Sequence, residues 1–138
     1  MPYELLEHTA DAKFRATGET LEEAFGSAVQ ALTALVVDPK LLDEKERQSV
    51  TVQSKTLHGL LFDLIDELLF RLDTEHLLAR NVECLTIVER NDEYVLDATV
   101  VFDDARKFPG NLKAVTYSDM IVQRQPDGSW VLQVVIDI

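Results

Sequence analysis

Cysteine is almost missing from this 138-residue chain, and basic residues are scarce: one Cys, and 13 Lys plus Arg against 25 Asp plus Glu. The lone Cys84 cannot close an internal disulfide. That excludes a disulfide-stapled scaffold and fits a reducing, cytoplasmic setting. Its context, Cys84-Leu85-Thr86-Ile87, reads as a buried strand thiol. No apolar run reaches the ~18 residues that a membrane helix needs, and Met1 to Glu7 has no signal-peptide pattern. The glycines are scattered at turns, so there is neither a phosphate-cradling loop nor a glycine-flanked nucleophile elbow around any serine. The formal net charge of -12 repels phosphate backbones. The charge argues against high-affinity nucleic-acid binding by this chain alone, because that affinity rests largely on Lys and Arg neutralising phosphates. Such a surface either keeps the protein soluble or steers it onto a basic protein surface.

What is present is an ordinary core-forming supply, 46% hydrophobic residues, enough for one domain spanning 1–138. Ala12 to Thr17 alternates as a half-buried strand and stops at Gly18. Thr20-Leu21-Glu22-Glu23 has capping-box spacing. Leu21, Ala24, Phe25, Ala28, Leu32, Leu35 and Val36 follow as one helical stripe, which Asp38-Pro39 ends. Residues 40 to 47 read as an exposed charged loop and Gln48 to Ser54 as a strand. A second helix runs from about Thr56 to about Leu72 on a leucine-rich face. Four strands follow: Asn81 to Arg90, Tyr94 to Phe102, Leu112 to Gln125 and Ser129 to Ile138. Asn91-Asp92 and Pro126-Asp127-Gly128 are hairpin turns. Residues 103 to 111 form the one long polar connection, the kind of loop that carries contacts more often than core. The order predicts an α+β two-layer sandwich, with two helices packed on one face of a mixed, largely antiparallel sheet.

The chemistry concentrates at the chain ends. Asp137 interrupts a β-branched strand and neighbours the Ile138 α-carboxylate. Asp11 opens the first strand, and an antiparallel neighbour could bring it to the same spot. Carboxylates packed together need a cation or a basic group to compensate them. Oxygen donors without clustered thiolate or imidazole suit Ca²⁺ or Mg²⁺ rather than Zn²⁺. His58 and His76 have no second ligand at helical spacing, which argues against zinc there. Lys113 enters its strand as a lone base. Alternation sets Lys113, Val115 and Tyr117 on one side, with Leu112, Ala114 and Thr116 on the other. Lys113 is either an aggregation-blocking edge lysine or a partner for the acids or for a ligand phosphate.

Five blocks in order over nearly the whole chain resemble the archease family. They are His8-Thr9-Ala10-Asp11; Gly18 to Phe25; Leu60 to Leu69; Leu112-Lys113-Ala114-Val115-Thr116-Tyr117; and Val135-Ile136-Asp137-Ile138. The resemblance implies a non-catalytic activator of the GTP-dependent, RtcB-type RNA ligase of tRNA splicing, one that promotes guanylylation of the ligase histidine and repeated turnover. It implies a divalent cation, Ca²⁺ first and Mg²⁺ or Mn²⁺ otherwise, held by Asp11, Asp137 and the Ile138 carboxylate. It makes Lys113, with Asp11 and Asp137, the ligase-activating set, with His8, Thr9 and Tyr117 as supporting positions. The chain departs from the family pattern at Ala12-Lys13-Phe14, at Val101-Phe102 and at Ser118. Two other classes stay open: a metal-dependent hydrolase of a small substrate, and a general chaperone or assembly factor.

Overall fold

The computed structural model describes residues 2–6 and 11–138. Strands β1 (Tyr3–Leu6) and β2 (Asp11–Gly18) precede helix α1 (Leu21–Ala34). Strand β3 (Glu46–Ser54) leads to helix α2 (Leu57–Glu75), then to β4 (Leu77–Arg90), β5 (Glu93–Asp104), β6 (Ala114–Arg124) and β7 (Trp130–Asp137). The α+β class is as expected. The strands form two sheets, however, ordered β1-β2-β7-β6 and β3-β5-β4. Every pairing among the described residues is antiparallel. Helix α1 packs on β2 and β4 and helix α2 on β3 and β6, so each helix touches both sheets. Phe14, Phe25, Leu61, Ile65, Phe102 and Ile136, drawn from both sheets and both helices, share one fully buried core. No helix among the described residues is long and apolar enough to cross a membrane.

Both helices start where their threonines place them. The Thr20 Oγ1 accepts from the Glu23 N–H at 3.1 Å, and the Thr56 Oγ1 accepts from the Gly59 N–H at 2.9 Å. The Glu23 carboxylate returns its bond to the Glu19 N–H rather than to Thr20. Helix α1 ends at Ala34, ahead of Asp38-Pro39, which instead opens a single 3₁₀ turn. At Asn91 and Asp92 both φ angles are positive (53° and 64°), the backbone of a two-residue hairpin turn.

Glycine positions show where backbones touch. A Cβ at Gly18 would run into the backbone of Glu23 and Ala24, whereas one at Gly26, inside α1, would meet nothing. Gly18→Ala is therefore expected to cost about 1–3 kcal/mol through overpacking. Gly26→Ala is expected to add about 0.5–1 kcal/mol by removing a helix-interior glycine. Urea unfolding of the two variants checks the opposite signs.

Two local expectations are corrected. Cys84 is exposed: β4 shifts register between Val82 and Cys84, and Leu85 and Ile87 take the core side, leaving Cys84 and Thr86 outward. Asp103 and Asp104 finish β5 rather than begin a loop. Asp103 is fully buried, where it accepts from the Asp43 N–H at 2.8 Å, the Asp104 N–H at 2.7 Å and the Lys107 Nζ at 2.8 Å. Burial pushes this carboxyl upward, but the Lys107 ammonium and the two backbone donors overcome it, so its pKa lies below the ordinary carboxylate value. The folded value thus falls below the unfolded one. Its stabilisation is complete above about pH 4 and is lost as pH falls through the lower folded value. Lys107→Met should lower stability at neutral pH, because it leaves the buried Asp103 carboxylate without its ammonium partner, and move acid unfolding to higher pH, read from thermal melts between pH 2 and 6.

Candidate functional site

Strands β2 and β7 carry the two chain ends to one place. Their register runs from Gly18 opposite Trp130 to Asp11 opposite Asp137, without a slip. What enforces it is the shared apolar face: Phe14 and Ala16 on β2, and Leu132, Val134 and Ile136 on β7, are all fully buried. A one-residue shift would turn that whole face outward. The same alternation puts Asp11 and Asp137 together on the outer face as direct cross-strand partners. Side chains so paired have Cβ atoms roughly 4.5–5.5 Å apart, and like charges there repel. Asp11 is half-buried and Asp137 exposed, so the pair opens to solvent. Lys13 shares this outer face, one step diagonally from Asp137, and its Nζ lies 3.8 Å from the Asp119 carboxylate.

On the other side, β7 pairs with β6, placing Ala114 opposite Asp137. The Lys113 N–H donates to the Asp137 carbonyl oxygen at 2.8 Å. Lys113 is thus tied by its backbone to the acidic strand end while its side chain takes the helix side. It lines an open recess of about 370 Å³ with Asp66, Leu69, Phe70 and Asp73 of α2. Val115 is buried, and the Tyr117 ring stacks on Phe62 of α2 with centroids 4.2 Å apart and planes 11° apart. Thr116 faces the other way, its hydroxyl donating to the Val135 carbonyl oxygen at 3.1 Å. The structure therefore brings Asp11 and Asp137 into register and sets Lys113 and Tyr117 on the opposite face of the same sheet end. His8 and Thr9 lie outside the described residues.

The donor set is hard oxygen and fits a divalent cation of the Ca²⁺ or Mg²⁺ class. Among the described residues no group of three or more His, Cys, Asp or Glu side chains is placed to hold an ion. Asp11 and Asp137 are two side-chain donors, and further ligands have to come from elsewhere. Helix α2 carries further acids and rings beyond those singled out in the sequence. Asp63 is pushed up from the ordinary carboxylate range by burial and then by the neighbouring Asp66 charge. Phe62, Asp66, Phe70 and Asp73 recur at helical spacing off the leucine stripe, a periodicity that could have marked a second face on α2.

Residues 3–138 match the family described as "Archease protein family (MTH1598/TM1083)". The chain belongs to the archease family. It is 35% identical over 140 residues to "Protein archease" of Pyrococcus furiosus, covering 99% of this chain and 98% of that one. It is 39% identical over 141 residues to "Protein archease" of Pyrobaculum islandicum, covering 99% and 95%. Among solved structures, the solution structure of Methanobacterium thermoautotrophicum protein 1598 superposes with a TM-score of 0.83 at 30% identity, covering 99% of both chains. The crystal structure of a Thermotoga maritima protein described as "an archease, possible chaperone" superposes with a TM-score of 0.57 at 18% identity, covering 96% and 94%. That second likeness bears on the archease fold alone.

Proposed function

We propose that this archease-family protein activates a GTP-dependent, RtcB-type RNA ligase of tRNA splicing. In this reading it promotes guanylylation of the ligase histidine and repeated turnover without itself being an enzyme. The observation that carries the reading is the register of Asp11 with Asp137, two carboxylates facing each other at a solvent-open strand end. Asp11, Asp137 and the Ile138 carboxylate would hold a divalent cation, Ca²⁺ first, which supplies compensating positive charge and Lewis acidity when bound. Asp11 and Asp137 then act by presenting anionic oxygens that a basic ligase surface can meet. Lys113, anchored through its backbone to Asp137, reaches past the other face of the sheet end to meet phosphate or a ligase acid. The acidic surface, with its net charge of -12, supports action on the enzyme that handles RNA rather than on RNA itself.

The test is guanylylation and multiple-turnover ligation by the purified ligase, with and without this protein. Asp11→Ala, Lys113→Ala and Asp137→Ala should each lose the stimulation. Equal stimulation by all three variants would sink the proposal. A chaperone reading has one point in its favour, that the Thermotoga maritima protein is described as a possible chaperone. It requires suppression of aggregation for unrelated clients, unaffected by the same three substitutions.

A further inference from the structure

The leucine face of α2 is spent on the core: Leu60, Leu61, Leu64, Ile65, Leu68 and Leu69 are buried. Its second face is not. Phe70 is 58% exposed and Tyr117, stacked on Phe62, is 57% exposed. Asp66 and Asp73 stand among these rings, one turn before Phe70 and three residues after it. They line the recess with Lys113 at its strand end. Exposed aromatic rings beside carboxylates form a surface of specific chemistry. The ring faces attract a guanidinium or ammonium, and the carboxylates pair with it.

We propose that this α2–β6 strip is a docking surface for a cationic, arginine-bearing segment of the protein partner. The assignment rests on the ligase-activator reading and names the contact that reading leaves open. Charge decides the occupant. A nucleic acid would bring phosphates against Asp66 and Asp73. A second copy of this chain, docked about a twofold axis, brings one lysine, Lys113, against the strip's acids and a like net charge of -12 along with it. A partner arginine instead stacks on Phe70 or Tyr117 while pairing with Asp66 or Asp73, and such anchors dominate interface energetics. Lys113 gives the strip a direction. Cationic partner groups settle over the helix acids and away from Lys113, which is left at the end next to Asp137. One docked partner would then span the strip and reach the carboxylate pair.

Phe70→Ser and the double variant Asp66→Lys/Asp73→Lys test this, since all three side chains leave the core untouched. Calorimetry against the purified ligase should show binding weakened roughly tenfold or more by the charge reversal and several-fold by Phe70→Ser. The affinity for Ca²⁺ alone should be unchanged, and added salt should weaken wild-type binding more than binding of the double variant. Wild-type binding with both variants equal to it overturns the strip and leaves the activator reading standing. A wild type that neither binds nor stimulates the ligase overturns both. A Phe70→Ser variant that dissolves a wild-type dimer without altering ligase binding overturns the partner assignment.

Discussion

Asp11→Asn and Asp137→Asn, each nearly isosteric, should lose at least ten- to a hundredfold in ligase stimulation while remaining folded. Neither carboxylate belongs to the packed core cluster, whose members on these strands are Phe14, Ala16, Leu132, Val134 and Ile136. The amides keep the shape of the strand end and lose only its negative charge. A cation bound by the native state alone stabilises by RT ln(1 + [L]/Kd), about 2.7 kcal/mol at a hundred times Kd. For a chain of this size that is a rise in Tm on the order of 10 °C. Wild-type protein should show that rise with Ca²⁺, and both Asn variants should show little of it. Thermal melts with Ca²⁺ and with chelator measure the binding loss. The ligase assay measures its functional consequence in the same variants.

Phe14→Ala should bring the largest loss of stability, about 3–5 kcal/mol. Phe14 is fully buried on β2, opposite Val134 on β7 and opposite Leu5 on β1. Removing the ring leaves a cavity beneath the strand that delivers Asp11 to Asp137. The expected fall in Tm is roughly 10–20 °C, with the denaturant slope unchanged. Phe14→Leu should cost much less, because it refills most of the volume. If the strand register is what assembles the carboxylate pair, the Ala variant should also need more Ca²⁺ for the same Tm gain.

The helices were readable from local chemistry. Thr20 and Thr56 announce their first turns, and the apolar spacing behind each is long enough to leave no competing period. The Asn91-Asp92 hairpin was readable for the same reason, as two residues that tolerate positive φ between alternating runs. Sheet partition was not. Alternation tells which face a strand buries, never which strand lies beside it, so one mixed sheet and two antiparallel sheets look alike until β3 pairs with β5. Strand β1 escaped because Tyr3 to Leu6 is short and its Glu4 and Leu5 are exposed. Asp103 escaped because its burial depends on Lys107 and on the Asp43 backbone, the latter sixty residues away.

At the site, the meeting of Asp11 and Asp137 was foreseeable from two acids at the ends of apolar strands. The position of Lys113 was half foreseeable. Its alternation with Val115 and Tyr117 stands in the sequence. That Ala114, and not Lys113, lies opposite Asp137 is a matter of register. The lysine therefore stands on the helix side, beside Asp66 and Phe70, while the two acids stand on the other face.

The proposed activity turns on Asp11 and Asp137 serving as one cation site. Crystals of the protein soaked in Mn²⁺ and measured at the manganese absorption edge test it directly. One strong anomalous peak is expected within coordinating distance of carboxylate oxygens of both Asp11 and Asp137, absent from Asp137→Asn crystals. A peak that persists in those crystals, or one that lies away from this strand end, would contradict it.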